Sequence, residues 1–143
     1  MSEYELLAIE FLRKTGTSMK ISYHGIVYGF PFEQEGSTKY PHRKYKVTMK
    51  RNGRSFTTPF YGSYMDFKEG KDPTSYDILA CLEKYEVPES MWDFATEYGY
   101  EINSESSYNN VRSIWNSCKT QYKKLIRFFD YDESIMNDLR EIF

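Results

Sequence analysis

The feature that most constrains the fold of this chain is the dipeptide Asn52-Gly53, which separates two runs of alternating residues. Both central residues of a type I′ turn need a positive φ, which Asn and Gly tolerate better than other residues. The stretch from Arg43 to Phe60 is therefore predicted to form a β-hairpin. Counting outward from the turn, the predicted pairs are Arg51 with Arg54, Lys50 with Ser55, Met49 with Phe56, Val47 with Thr58, and Tyr45 with Phe60.

This register divides the hairpin into two faces, because successive side chains of a strand point to opposite sides. The inward face would consist of Tyr45, Val47, Met49, Phe56 and Phe60. The outward face would consist of Lys44, Lys46, Thr48, Lys50, Ser55 and Thr57. We thus expect a sheet with one side in the core and one basic side.

The residues before the hairpin predict one helix and one more strand. Ser2 and Glu5 form a capping pattern that opens the helix, and Leu7, Ala8, Phe11 and Leu12 follow at helical spacing. The alternation of residues 19–26 predicts a strand that places Met19, Ile21 and Tyr23 inward. An antiparallel sheet with the order 1-2-3 follows, in which Pro59 favours an edge position for the third strand. Residues 29–41 and 61–72 are predicted loops.

Helical spacing dominates from Asp72 to the C terminus and predicts about four helices. Their apolar positions are Ile78, Leu79, Leu82 and Tyr85; Met91, Trp92, Phe94, Ala95 and Tyr98; Tyr108, Val111, Trp115, Cys118, Tyr122, Leu125 and Phe129; and Ile135, Met136, Leu139, Ile142 and Phe143. The predicted class is α+β. We expect one domain over residues 1–143, in which the helix and sheet (1–60) pack against a helical half (72–143).

The formal net charge of −2 conceals a strong asymmetry along the chain. Residues 19–60 carry eight Lys or Arg and two Glu, a net charge of +6. Residues 61–105 carry three Lys and eleven Asp or Glu, a net charge of −8. If these segments stay apart in the fold, the protein presents opposite electrostatic fields on different elements.

The sequence offers no signature of catalysis or of cofactor binding. It contains no phosphate-binding loop, no dinucleotide fingerprint, no nucleophile elbow and no zinc-protease motif. Cys81, Cys118, His24 and His42 lack metal-ligand spacing, so no metal site and no cofactor are predicted. No apolar run reaches the roughly 18 residues of a membrane span. We expect a cytoplasmic protein that is not an enzyme and does not contact membranes.

The first candidate surface is the basic hairpin. Its cationic residues are Lys44, Lys46, Lys50, Arg51 and Arg54, which are predicted to gather on one face and at the tip. A two-stranded ribbon can lie along a nucleic-acid groove with its cations on phosphates. Alternatively, lysines on outer strands serve solubility and prevent edge-to-edge aggregation.

The second candidate surface is acidic and lies in the helical half. Its residues are Asp77, Glu86, Glu89, Asp93, Glu97 and Glu101, of which the last four recur every four residues. Like charges at this spacing destabilise a helix by roughly 0.2–0.5 kcal/mol per pair. A row of carboxylates roughly 6 Å apart resembles a nucleic-acid backbone and would compete for a basic channel. Alternatively, the row is an ordinary solvated face.

Several segments together resemble a family of small proteins encoded by bacteriophages and prophages. They are FLRKTGTSMKISY (11–23), KYKVTMKRNGRSFTTPF (44–60), DPTSYDILACLEKYEVP (72–88), FATEYGYE (94–101), and the spaced Trp115, Cys118 and Leu125. The likeness spans nearly the whole chain, and residues 76–82 are its most specific part. It implies a context of stoichiometric binding to host machinery, as in anti-CRISPR proteins, and it implies no catalytic or ligand residues.

Three hypotheses follow from the sequence. The first is a phage-derived, anti-CRISPR-type inhibitor that binds a bacterial defence nuclease complex through the acidic surface. The second is a phage accessory protein that binds nucleic acid through the basic hairpin. The third is a structural or regulatory phage protein that binds neither.

Overall fold

Nine helices and strands follow one another in the computed structural model, which describes residues 2–28 and 40–143. They are α1 (Glu3–Lys14), β1 (Ser18–Tyr28), β2 (Pro41–Arg51), β3 (Arg54–Tyr61), α2 (Tyr64–Glu69), α3 (Ser75–Glu83), α4 (Met91–Tyr98), α5 (Glu105–Phe128) and α6 (Glu133–Glu141). The predicted α+β class is confirmed. The predicted loop over residues 29–41 lies outside the described residues except at its end, where β2 already begins at Pro41.

The hairpin of β2 and β3 has the register that the sequence predicts. Arg51 pairs with Arg54 across the turn, and the pairing continues without a shift to Lys44 and Tyr61. Asn52 and Gly53 occupy the turn with φ values of 49° and 76°. The strand order is β1-β2-β3, which leaves β3 at an edge as predicted. The inward residues of the hairpin are buried, apart from the half-buried Phe60.

β1 is longer than predicted and contains an irregularity. Its antiparallel pairing with β2 shifts between Tyr23 and Ile26, and Gly25 lies between them with a φ of 98°. Tyr23 faces Tyr45 with the ring centroids 5.7 Å apart, yet Tyr23 is 55% exposed. Tyr23 therefore contacts an inward residue, as its predicted inward placement requires, but it is not buried. It lies where the regular pairing with β2 ends.

α1 packs its C-terminal half into the core. Ser2 accepts a hydrogen bond from the Glu5 N–H, and Gly16 follows the helix with a positive φ. Ala8, Phe11 and Leu12 are buried. Leu7, which shares their helical spacing, is 45% exposed.

The predicted loop over residues 61–72 is wrong in its centre, where the six-residue helix α2 forms. The Ser63 side chain accepts a hydrogen bond from the Asp66 N–H and so caps the first turn. Gly70 ends the helix in the left-handed conformation. The Ser63–Asp66 spacing is a capping signal, but the segment is too short to show an apolar period.

The four predicted C-terminal helices are present, and their caps are defined. Thr74 and Asp77 form a reciprocal capping box on α3, and Ser104 forms one with Ser107 on α5. Gly99 ends α4, and Asp132 caps α6. Phe143 was expected inward but is 42% exposed.

Two apolar clusters hold the elements together. The larger cluster joins the inward face of the sheet to buried residues of α1, α3, α5 and α6. The smaller cluster joins α4 to the first half of α5 through Phe94, Val111 and Ile114. Trp115 donates its indole N–H to the carbonyl of Pro88 at 2.9 Å. The outward face of the sheet thus lies opposite the large cluster.

Candidate functional site

The outward face of the sheet is positively charged and has no negative counterpart within its strands. β1, β2 and β3 contain no Asp or Glu. Lys20 pairs with Thr48 across the sheet, so it stands on the same side as the outward lysines of β2. We call this set the lysine face, and its residues are Lys20, Lys44, Lys46 and Lys50.

The neighbours of the lysine face are small or neutral, so its charges remain accessible. Lys50 lies between Ser18 and Ser55, and Lys46 faces Pro59 on the edge strand. Lys20, Lys46 and Lys50 are exposed, and none of them forms an ion pair with a described residue. Side chains two residues apart on one face stand about 6.8 Å apart. This spacing suits several contacts along a polyanion.

The two arginines at the hairpin tip are oriented differently from the lysines. Arg51 donates from Nε to the Thr15 carbonyl and from Nη1 to Asp130, each at 2.8 Å. Arg54 donates to the Arg127 carbonyl at 2.6 Å and contacts Asp130 at 2.5 Å. We call Arg51, Arg54 and Asp130 the arginine clamp.

The clamp follows from the pleat of the hairpin. Arg51 lies two residues beyond Met49, and Arg54 two residues before Phe56, so both continue the inward rows. They flank the turn as predicted, but they do not extend the lysine face. Of the five cations predicted to gather on one face and at the tip, the three lysines thus share the outward face, and the two arginines lie at the tip on the inward side. Their guanidinium groups hold the hairpin against the end of α5.

A further set of cations lies on the second half of α5. Lys119, Lys123, Lys124 and Arg127 belong to a segment, residues 112–129, that contains no Asp or Glu. Lys124 and Arg127 line a cavity of about 510 Å³ beside Arg54 and β3. They are not among the candidate residues predicted from the sequence. The short basic run at residues 123–127 is the signal that could have identified them.

The six residues of the predicted acidic surface separate into two groups. Asp77 accepts a hydrogen bond from the Thr74 N–H at 2.9 Å within the capping box. Glu86 makes a bidentate contact with Arg140 on α6, with distances of 2.8 and 3.1 Å. Both carboxylates thus serve the fold. The other four, Glu89, Asp93, Glu97 and Glu101, are exposed on and around α4.

The carboxylates on this side of the molecule share an electrostatic environment with Tyr98. Burial, followed by the negative charges of Glu97 and Glu83, raises the pKa of Tyr98 to about 12. Glu83 belongs to α3 and Glu97 to α4, so the acidic surface bridges two helices. Glu83 was not among its predicted residues, because its effect on Tyr98 depends on the fold and not on the spacing of residues in the sequence.

The two thiols lie inside the fold and are protonated at neutral pH. Burial raises the pKa of Cys81 and, together with the neighbouring Cys81, raises the pKa of Cys118 to about 11. The thiolate is the reactive form of cysteine, so neither residue is an activated nucleophile. In the described part of the chain, no group of three or more His, Cys, Asp or Glu is placed to hold a metal ion.

Comparison of the chain with protein-family models, with curated proteins and with solved structures finds no match. The fold and the surfaces thus define a small α+β protein whose positive and negative surfaces lie on different elements. None of the helices in the described ranges, 2–28 and 40–143, is long and apolar enough to cross a membrane.

Proposed function

We propose that this protein binds nucleic acid without catalysis, through the lysine face of its sheet. The observation that carries the proposal is a sheet whose three strands contain no carboxylate and whose outward Lys20, Lys46 and Lys50 are exposed. Phosphate contacts by lysine supply sequence-independent affinity and release counterions. The set of contact residues differs from the predicted hairpin set, because Lys20 joins it and the clamp arginines leave it.

Binding to a labelled oligonucleotide, followed by fluorescence anisotropy over a range of salt concentrations, tests this proposal. Replacing Lys20, Lys46 and Lys50 by Ala removes three of the proposed phosphate contacts. On duplex DNA, log K falls linearly as log salt rises, and each phosphate contact contributes about 0.9 to the steepness of this decrease. The triple change should therefore make the slope less negative by about 2.7. The matched control replaces Lys68, Lys71 and Lys84, which are also exposed but lie outside the sheet. Equal loss in both triple variants would contradict the proposal.

A second candidate function is the inhibition of a bacterial defence nuclease complex through the acidic surface. It is favoured by the exposure of four regularly spaced carboxylates, Glu89, Asp93, Glu97 and Glu101, on and beside α4. They would occupy a basic channel of the effector in place of its nucleic acid. The anti-CRISPR-type role and the phage context rest on the sequence resemblance.

An effector cleavage assay tests this second candidate. Replacing Glu89, Asp93 and Glu97 by their amides should abolish inhibition of DNA cleavage while leaving the helical circular-dichroism signal unchanged. The matched control replaces Glu69, Glu105 and Glu141, which are exposed on other elements, by Gln. Inhibition that survives the first triple change, or an absence of inhibition by the wild-type protein, would rule the candidate out.

A further inference from the structure

A groove lies between the edge strand β3 and the helix α5. It consists of two adjoining cavities of about 510 and 570 Å³ that share Lys124. None of the residues that line either cavity is acidic. Arg54, Lys124 and Arg127 make one end of the groove positive. Because Asp130 already contacts Arg54, the cations that remain for an anionic ligand at this end are Lys124 and Arg127, which form no ion pair with a described residue.

Most of the α5 residues that line this groove are polar, and Cys118 and Phe128 line it as well. The polar residues recur at helical spacing and carry hydroxyl, amide or ammonium groups: Ser113, Asn116, Ser117, Thr120, Gln121 and Lys124. At 1.5 Å per residue, the wall from Ser113 to Arg127 extends over about 21 Å. Such a length accommodates several units of an extended polymer. Hydroxyl and amide groups can both donate and accept hydrogen bonds.

The opposite wall is the free edge of β3. In a hairpin with a two-residue turn, the pair that flanks the turn is hydrogen-bonded, and hydrogen-bonded and non-bonded pairs then alternate. Arg54 and Phe56 therefore point their N–H groups toward β2, and Ser55 and Thr57 point theirs into the groove. Pro59 has the same outward orientation but no N–H. This interruption disfavours the addition of a peptide strand to the edge.

We propose that the β3–α5 groove binds the backbone of single-stranded nucleic acid, an inference that rests on the proposed function and extends it. Lys124, Arg127 and the N–H groups of Ser55 and Thr57 contact phosphates at the positive end. The hydroxyl and amide groups of α5 contact sugars and base edges. Lys50 stands directly across from Ser55, so the strand continues from the groove over the edge of β3 onto the lysine face.

The test compares single-stranded and duplex forms of one labelled mixed-sequence oligonucleotide by fluorescence anisotropy. The double change Lys124→Ala and Arg127→Ala should weaken single-strand binding on the order of tenfold and reduce its salt slope by about 1.4, or about 0.7 for each phosphate. Duplex binding, which uses the lysine face, should change less than about twofold. The matched control is Lys84→Ala with Lys123→Ala, since both side chains are exposed and line neither cavity.

A second variant tests the groove by its shape. Ser117 lines the groove and is exposed, so Ser117→Trp should obstruct it and weaken single-strand binding without a change of charge. Asn110→Trp, on the same helix outside both cavities, is its control. Circular dichroism checks that both tryptophan variants keep the helical signal of the wild type.

The possible outcomes distinguish binding in the groove from binding on the lysine face. If single-strand binding is weakened in the groove variants but not in their control variants, the inference is supported. Unchanged single-strand binding in them, with loss in the lysine-face variant, overturns the inference and leaves the proposed function standing. Failure of both oligonucleotides to bind the wild type at low salt overturns both. Binding of a polyglutamate peptide that depends on Lys124 and Arg127, without single-strand binding, overturns the inference in favour of an acidic protein partner.

Discussion

Asp130 joins the hairpin tip to the segment after α5 through a single carboxylate. It receives the guanidinium groups of Arg51 and Arg54 from the hairpin tip, and it lies directly after α5. Asp130 and Tyr131 have φ values of 57° and 58°, in the left-handed region that residues other than Gly, Asn and Asp rarely enter. The arginine contacts compensate for this backbone conformation.

Replacing Asp130 by Asn isolates the contribution of the charge, because Asn tolerates the left-handed region as well as Asp does. The free energy of unfolding should fall by about 1–2 kcal/mol, since two charge-assisted contacts are weakened. Urea denaturation measures this change. Glu69→Gln, at an exposed position without an ion pair to a described residue, is the control and should change stability by less than about 0.5 kcal/mol. An equal effect of both changes would show that the clamp contributes nothing specific.

Tyr98 reports on the acidic surface through its titration. Because burial and the carboxylates of Glu97 and Glu83 raise the pKa of its phenol from 10.0 to about 12, the folded state keeps this proton where the unfolded state has lost it. The free energy of unfolding should therefore fall as the pH rises from about 10 to about 12. Denaturant midpoints across this pH range measure the decrease, and a rise instead would contradict the assignment.

The same titration tests which carboxylates belong to this environment. Glu97→Gln should lower the pKa of Tyr98 toward its ordinary value, because one of the two named negative charges is removed. Glu101→Gln should leave it unchanged, since Glu101 is not among the causes of the shift. Ultraviolet absorbance of the tyrosines measures both variants. Equal shifts would place Glu101 beside Tyr98 and contradict the arrangement of α4.

At the scale of single elements, local signals identify the helices and strands whose pattern is long. The Asn-Gly turn and the alternation around it predict the register of β2 and β3 residue by residue. The 3-4 spacing and the Ser104 cap predict α5. The short helix α2 shows no such period, and the irregularity in β1 depends on its pairing with β2, so the sequence alone does not reveal them.

The turn that defines the hairpin can be tested with two glycines of the same sheet. Gly53→Ala should destabilise the protein by about 1 kcal/mol, because its φ of 76° lies in the left-handed region. Gly62→Ala should be tolerated within about 0.5 kcal/mol. Its φ is not positive, and an added Cβ would meet its nearest neighbours at 3.8 and 3.9 Å. Thermal unfolding of both variants measures the difference, and the reverse order of stability would contradict the turn geometry.

At the scale of the whole molecule, the charge asymmetry of the sequence becomes a separation of surfaces. Seven of the eight Lys and Arg residues of the segment 19–60 lie on strands that contain no Asp or Glu, and α4 carries exposed carboxylates of the negative segment. The lysines of the candidate site were predictable because the pleat alone orients them. The exclusion of Arg51 and Arg54 follows from the same pleat, and the capping contact between Asp77 and Thr74 is local. The groove beside α5 and the contact of Glu86 with Arg140 depend on tertiary contacts between distant segments. No local pattern contains that information.

An ¹⁵N–¹H NMR titration with an unlabelled oligonucleotide at low salt tests directly whether nucleic acid contacts the lysine face. The largest amide shifts should fall in β2 and β3, at and around Lys46, Lys50 and Ser55, and should reverse when salt is added. The amides of α4 should remain in place. Shifts scattered evenly over the molecule, or no shifts at all, would contradict the claim.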